Sequence, residues 1–294
     1  MAKRILRISI RIVVIAFVLL VLLLFLIDRF VQFRMDDKEM NQFFTEHNTP
    51  HEIIYYPSGN KQMRCVKVGN DTSATVLFIH GAPSSASYWK NYLADTSLYH
   101  HATLYSIDRI GYGYNDFGHP QPDIHQQALS IIPVLDSLNK KHHPVIITAA
   151  SYGTAIACRV AMERPDLVDG LVLVAPAIAP GEERIFWFTY IIESPLFKWF
   201  IPRMFRSANA EKIHHREELE KMLPLWGNIR VPVTYLQGAK DGLVYTTNAD
   251  FAKKHLVNAT SLDIQFIPEK GHLIAFSERS KITGEILKMM ERCK

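Results

Sequence analysis

The sequence has few cysteines, little net charge and no low-complexity segment, and each of these features excludes a class of protein. Its three cysteines, Cys65, Cys158 and Cys293, are too scattered for a disulfide scaffold or a thiolate metal site. The 33 basic and 29 acidic residues leave a net charge of +4, too weak to indicate a nucleic-acid partner. With 48% hydrophobic residues over 294 positions, the chain has the composition of a globular protein.

Hydrophobic residues are concentrated near the N-terminus. No charged or polar residue interrupts residues 12–27, IVVIAFVLLVLLLFLI. Residues 8–11 extend this run to the ~20 residues that a membrane-spanning helix needs, because an arginine at a helix end can place its head in the interface. The flank that follows, DRFVQFRMDD, lacks the small residues of a signal-peptide cleavage site. We therefore predict a transmembrane signal-anchor over residues 1–28, with a buried core helix as the alternative.

Basic residues lie on both sides of this run. Before it stand Lys3, Arg4, Arg7 and Arg11, and after it stand Arg29, Arg34 and Lys38. The larger number on the N-terminal side predicts a cytoplasmic N-terminus, with the remaining chain outside the cytoplasm and in the periplasm if the protein is bacterial. Phenylalanine and methionine recur at helical spacing in residues 29–50, which predicts a juxtamembrane helix or linker that ends at Pro50.

From residue 51 to residue 294 short apolar runs alternate with helical patterns. The predicted strands are residues 51–56, 62–68, 75–79, 102–107, 145–149, 171–175, 232–237 and 262–267. The interior runs are rich in Val, Ile and Leu without polar alternation, which is typical of parallel strands covered on both faces. We therefore predict an α/β fold with an eight-stranded, mostly parallel sheet flanked by helices. Chemistry is expected beyond the carboxyl ends of its strands.

Three of these strand ends carry the residues of a nucleophilic triad. Ser151 follows the fifth strand on a tight turn, Asp241 follows the seventh and His272 follows the eighth. In this order Ser151 would attack an acyl carbon, His272 would take and return its proton, and Asp241 would orient the imidazole. The backbone N–H groups of Ala82, after the third strand, and of Tyr152 would form an oxyanion hole.

Five motifs in this part of the chain resemble those of the α/β-hydrolase superfamily. They are HGAP at 80–83, DRIGYG at 108–113, SYG at 151–153, GAKDGLV at 238–244 and GH at 271–272. The resemblance implies an oxyanion turn, a loop after the fourth strand, a nucleophile elbow, an acid turn and a catalytic histidine, in that order. The elbow reads A-A-S-Y-G where the family usually has G-x-S-x-G, and Ala149 is small enough for the turn. Related epoxide and haloalkane hydrolases carry an aspartate where Ser151 stands.

In this family an insertion between strands 6 and 7 forms a small helical cap, which here corresponds to about residues 181–226. Its many aromatic residues are expected to pack the cap itself, to line an apolar substrate channel or to contact the nearby bilayer. Phe186, Trp187 and Trp199 are the candidates for substrate contact. The polar run at 211–221 is expected to be a solvated helix. Its paired histidines have no ligand partners at metal-binding spacing, so no metal site is predicted.

These features together predict a membrane-anchored serine hydrolase that cleaves a carboxylic ester or related acyl substrate through an acyl-enzyme, without a cofactor. The expected partners are a small acyl substrate and, through the N-terminal helix, the membrane. The same triad also serves peptidases, thioesterases, C–C hydrolases and acyltransferases, so these activities remain alternatives. A non-catalytic binding protein on the same scaffold is a further alternative.

Overall fold

The computed structural model describes residues 2–30, 32–69, 73–139, 143–198 and 201–294. Within these ranges the α-helices are, in chain order, α1 (Ala2–Phe30), α2 (Asp37–Glu46), α3 (Lys90–Leu93), α4 (Thr96–Tyr99), α5 (Ile124–Asn139), α6 (Tyr152–Glu163), α7 (Thr189–Glu193), α8 (Arg203–Met222), α9 (Asn248–His255), α10 (Ile274–Ser277) and α11 (Arg279–Arg292).

The strands form one eight-stranded sheet in the order β1-β2-β4-β3-β5-β6-β7-β8. They are β1 (His51–Ser58), β2 (Lys61–Val68), β3 (Thr75–Ile79), β4 (Thr103–Ile107), β5 (Val145–Ala150), β6 (Gly170–Val174), β7 (Val233–Gly238) and β8 (Leu262–Ile267). Strand β2 pairs antiparallel with both β1 and β4, and the other pairs are parallel. The predicted mostly parallel sheet with flanking helices is confirmed.

Side chains of the central strands alternate between two hydrophobic cores, one on each face of the sheet. Leu77 and Ile79 pack with residues of α5 and α6. Val76 and Phe78, which point the other way, pack with Trp89 and with α11. This alternation follows from the two-residue period of a strand. It explains why β3 is apolar at nearly every position and is buried along its whole length.

Helix α1 is long and apolar enough to cross a membrane. Within Arg4–Phe30 the most apolar 18 consecutive residues have a mean hydropathy of 3.4, and none of these residues is buried against the rest of the protein. A membrane anchor and a signal sequence both have these properties, so the structure shows an apolar N-terminal helix that is available for either role.

Helix α2 occupies only part of the segment where the sequence pattern predicts a helix reaching Pro50. A new helix begins at a capping box, in which Asp36 accepts from the Glu39 N–H and the Glu39 carboxylate accepts from the Asp36 N–H. The helix ends at Glu46, because Asn48 adopts a φ of 49° that a helix cannot continue through. Met40 and Phe44 anchor α2 in the core.

The cap lies between β6 and β7 and contains α7, α8 and a 3-10 turn at Leu223–Asn228. The prediction that residues 211–221 form a solvated helix is wrong for one face of α8, where Glu211, His215 and Glu218 are buried. These polar side chains find partners on other elements of the protein, which offsets part of the cost of burying them. The charge pattern of α8 alone does not reveal those partners.

Candidate active site

Ser151 occupies a sharp turn between β5 and α6. Its backbone has φ 50° and ψ −126°, a rarely populated conformation that costs on the order of 1–3 kcal/mol. Such a turn projects a serine hydroxyl away from the strand and toward a substrate. Gly153 permits the turn, since a Cβ at this position would lie 2.5 Å from the His80 carbonyl oxygen. The elbow and the turn after β3 are therefore packed directly against each other.

The side chains of Ser151, His272 and Asp241 form a hydrogen-bonded row. His272 Nε2 lies 3.0 Å from Ser151 Oγ, and His272 Nδ1 lies 2.8 Å from Asp241 Oδ2. With the proton on Nδ1, the imidazole donates to the carboxylate and accepts from the hydroxyl. This arrangement allows His272 to remove the hydroxyl proton as the serine attacks.

The carboxylate of Asp241 is held in its ionised form. Burial by itself opposes ionisation, but the hydrogen bond and charge of His272 outweigh it, with help from two backbone N–H groups, and the pKa of Asp241 lies below its ordinary value. The N–H groups of Leu243 and Val244 donate to Oδ1 at 2.9 and 3.0 Å. Oδ2 is thereby left to orient the imidazole.

Close contact between two loops brings Asp241 and His272 together. A Cβ on Gly238 would lie 2.2 Å from the Gly271 oxygen and 2.4 Å from the Lys270 oxygen, so only glycine fits. The Lys240 N–H donates to the Lys270 oxygen at 2.8 Å. The acid turn after β7 and the histidine loop after β8 are therefore joined through their backbones.

The proposed oxyanion donors belong to two turns that adjoin Ser151. Ala82 and Tyr152 line the same cavity as Ser151. Tyr152 is the first residue of α6, so its N–H has no acceptor within the helix. A Cβ on Gly81 would lie 3.0 Å from the Ser151 Cβ, which shows how closely the turn after β3 approaches the serine.

A buried ion pair links the cap to this turn. Arg109 donates to both carboxylate oxygens of Glu211 on α8, at 2.7 and 3.1 Å, and to the Gly81 oxygen at 3.1 Å. Tyr112 donates its hydroxyl to Glu211 at 2.7 Å. The Arg109 N–H donates to Nε2 of His80, whose pKa is lowered by burial and by the Arg109 charge. The sequence analysis included Arg109 only as part of the DRIGYG motif at 108–113, and it gave no signal for Glu211.

His215 is one of the residues for which the predicted solvated helix over residues 211–221 is wrong. The centroid of its ring lies 4.7 Å from the ring centroid of Tyr152. Its Nδ1 lies 2.7 Å from a carboxylate oxygen of Glu183. Burial opposes ionisation of Glu183, but the charge of His215 outweighs it and lowers the pKa of Glu183. In the described part of the chain, no group of three His, Cys, Asp or Glu side chains is arranged to hold a metal ion.

The row of Ser151 and His272 opens into a large, mostly apolar cavity of about 930 Å³ under the cap. Of the predicted substrate-contact residues, Phe186 lines this cavity, whereas Trp187 lies outside its wall and is 80% exposed. Trp199 lies outside the described residues. The sequence reasoning missed Phe33, which reaches the cavity from the segment after α1.

Residues 76–282 match the Alpha/beta hydrolase family, and the chain belongs to this family. A haloalkane dehalogenase of Bradyrhizobium diazoefficiens is 30% identical over 125 residues, which cover 42% of this chain and 38% of the relative. The lipase LipV of Mycobacterium tuberculosis is 31% identical over 122 residues, which cover 40% of this chain and 43% of the relative. The matched part thus spans about two fifths of the length of these curated relatives.

Among solved structures, the carboxylesterase CesB of Bacillus subtilis has a similar fold. Its TM-score is 0.61 at 15% identity, and the superposition covers 85% of this chain and 95% of that chain. At this identity the likeness concerns the fold alone. The proteins similar to this chain include a dehalogenase, a lipase and a carboxylesterase, so the residues of this site must distinguish among these reactions.

Proposed function

We propose that this protein is a serine hydrolase that cleaves a carboxylic ester or related acyl substrate. The observation that carries the proposal is the row of hydrogen bonds in which His272 lies 3.0 Å from the Ser151 hydroxyl and 2.8 Å from the Asp241 carboxylate. A hydroxyl beside a neutral imidazole that is oriented by a carboxylate is the arrangement that acyl transfer requires.

In the first half of the reaction His272 Nε2 takes the hydroxyl proton while Ser151 Oγ bonds to the acyl carbon. The negative charge that develops on the carbonyl oxygen is stabilised by the N–H groups of Ala82 and Tyr152. The bond to the leaving alcohol oxygen then breaks, and His272 donates its proton to that oxygen. Water repeats these steps on the acyl-enzyme, releasing the carboxylic acid and restoring Ser151.

A serine in the nucleophile position favours this reaction over dehalogenation. Part of the chain is similar to a haloalkane dehalogenase. The family resemblance implies an aspartate at the nucleophile position of such enzymes, whereas this chain has Ser151. The similarity to LipV supports an ester substrate. A panel of matched ester, thioester and amide substrates with one acyl chain separates esterase from thioesterase and peptidase activity.

We further propose that α1 is retained as a single membrane-spanning anchor. In this arrangement residues 1–28 hold the chain in the membrane, residues 29–50 connect it, and residues 51–294 form a catalytic domain outside the cytoplasm, with its cap at about 181–226. The apolar and unburied surface of α1 supports an anchor. The basic residues that precede it, Lys3, Arg4, Arg7 and Arg11, support the orientation.

Labelling with a fluorophosphonate probe tests the catalytic assignment. The unsubstituted chain is expected to react with the probe, and Ser151→Ala is expected not to react. The kcat of Ser151→Ala for 4-nitrophenyl butyrate is expected to be lower by about 10⁶-fold. Ser280→Ala, the same change at an exposed position on α11, serves as the matched control and is expected to label normally. Retained esterase activity in Ser151→Ala would show that another group is the nucleophile.

A further inference from the structure

The wall of the active-site cavity includes residues that lie next to the membrane helix. Aromatic and aliphatic side chains dominate it, among them Phe33, Phe186, Phe188, Phe205, Leu273 and Phe276. Ile201 and Pro202 line this cavity on one side. On the other side they line a small groove against Val21, Leu24 and Phe25 of α1. One thin part of the cap therefore separates the cavity from the side of α1.

Direct contacts fix the cap to the end of α1. The Arg203 N–H and Nε donate to the two carboxylate oxygens of Asp28, at 2.6 and 2.9 Å. The ring of Phe33 packs edge-on against Phe205, with 6.5 Å between centroids. Asp28 is the first charged residue after the apolar run. If α1 spans a membrane, these contacts hold the cap and the cavity at the level where α1 leaves the apolar layer.

The neighbouring part of the cap exposes large apolar side chains. Trp187, Tyr190 and Leu196 are 80%, 65% and 70% exposed, and further apolar side chains of the same segment are exposed beside them. These are Ile185, Phe188, Ile191 and Phe197. Exposed apolar surface of this kind marks a binding face, and tryptophan and tyrosine favour the interface between membrane and water. If α1 is the proposed membrane anchor, the occupant that it brings to this level is a bilayer.

We propose that residues 185–198 of the cap lie in the membrane interface, so that the cavity receives its substrate from the bilayer. The substrate class is then a membrane-resident ester with a long acyl chain, whose chain fills the apolar cavity while its carbonyl carbon meets Ser151. This inference rests on the proposed serine hydrolase activity for the reaction, but the position of the cap is independent of it.

The test uses the full chain in phosphatidylcholine–phosphatidylglycerol vesicles. One substrate, 4-methylumbelliferyl oleate, resides in the bilayer, and the other, 4-methylumbelliferyl acetate, dissolves in water. The double variant Trp187→Ser/Leu196→Ser is expected to lose about tenfold or more in kcat/KM for the oleate, because two large apolar side chains no longer enter the interface. For the acetate it is expected to stay within about twofold, as surface changes do. Val257→Ser, which removes an apolar side chain 70% exposed beyond α9, is the control and should change neither rate.

Fluorescence reports the position of the cap without any turnover. Lipids with brominated chains are expected to quench the emission of Trp187, measured as the difference between the full chain and its Trp187→Phe variant. Normal fluorophosphonate labelling of the double variant shows that it is folded. An unquenched Trp187, or equal losses for oleate and acetate, would overturn the inference and indicate that the cap meets water or another protein. If Ser151 neither labels nor turns over either ester, the proposed hydrolase activity fails, and the quenching alone decides where the cap lies.

Discussion

Asp241 uses its two carboxylate oxygens for different partners. Oδ1 accepts from the backbone of its own turn, and Oδ2 faces His272 Nδ1. An amide in this position presents either a donor or a neutral acceptor to the imidazole, so it fails to hold the tautomer that accepts the serine proton. The geometry of the turn survives such a change, and the electrostatic stabilisation of the charged imidazole is lost.

We therefore expect Asp241→Asn to lower kcat for 4-nitrophenyl butyrate by about 10⁴-fold. Fluorophosphonate labelling should slow as well, since it depends on the same activated hydroxyl. The matched control is Asp250→Asn. The Asp250 carboxylate is 74% exposed and, among the contacts described, pairs only with Lys253. If the kcat of Asp241→Asn stays within about tenfold of that of the unsubstituted chain, another carboxylate orients the imidazole.

The same variant gives a prediction about pH and stability. Because the pKa of Asp241 is lower in the folded protein, its carboxylate stabilises the fold above the ordinary aspartate pKa of about 3.9. That contribution disappears as the pH falls through the lower folded-state value. Urea titrations measure the free energy of unfolding of the unsubstituted chain and of Asp241→Asn. The difference between the two should become smaller as the pH falls below about 4. Asp250→Asn is measured in the same way as the reference variant. A difference that grows in acid would contradict the lowered pKa.

The sequence predicted the residues of the row because the carboxyl ends of parallel strands meet at one edge. It could not predict the partners that depend on tertiary packing. Glu211 meets Arg109 from a position 102 residues away, and the contact of His215 with Glu183 spans 32 residues. In the linear pattern these groups look like ordinary surface charges. Whether Ser151, Asp241 and His272 act as a triad stays a prediction until the variants are measured.

Among the elements, the turns after β7 and β8 act as one unit. Gly238 ends β7 where its Cα approaches the backbone of Gly271 and Lys270 too closely for any side chain. A methyl group there would push the histidine loop away from the acid turn, while leaving the elbow of Ser151 in place. Displacement of reacting groups by ~1 Å typically costs about 10²-fold in rate.

Gly238→Ala is accordingly expected to lower kcat for 4-nitrophenyl butyrate by about 10²-fold or more. Gly242→Ala, in the same turn but with open space around the added methyl group, is expected to keep nearly full activity. Circular dichroism verifies that both variants are folded. The difference in kcat between them then gives the effect of the spacing between the two loops, apart from the effect of a methyl group in the turn. Equal activities would mean that the two turns adjust independently.

The sequence predicted the strands well, because burial determines their apolar pattern. It predicted the helices less well where specific side-chain partners determine their bounds or their buried face. Strands β3 and β8 have the predicted bounds, and the others begin or end within two residues of them. Helix α2 is shorter than expected because a capping box starts it at Asp36 and Asn48 stops it. On α8 the buried face carries charged residues, so hydrophobic periodicity could not reveal which face turns inward.

At the scale of the whole molecule, the apolar helix α1, the cap and the cavity form a continuous arrangement. Asp28 at the end of α1 binds Arg203 at the start of α8, and Phe33 joins the cavity wall a few residues later. If α1 spans the membrane, the hydrogen-bonded row of Ser151, His272 and Asp241 is held near one membrane surface. The side of the membrane on which it acts then depends only on the orientation of α1.

That orientation is predicted by the basic residues at the two ends of α1. C-terminal fusions expressed in a bacterial host should give active alkaline phosphatase and non-fluorescent green fluorescent protein, because the catalytic domain is exported. Replacing Lys3, Arg4, Arg7 and Arg11 with glutamine leaves Arg29, Arg34 and Lys38 as the dominant positive charge, so this variant should reverse both signals in at least part of the population. A fluorescent fusion of the unsubstituted chain would place the catalytic domain in the cytoplasm. The intact mass of the purified protein adds a separate measurement: loss of the first ~30 residues would show a cleaved signal sequence instead of an anchor.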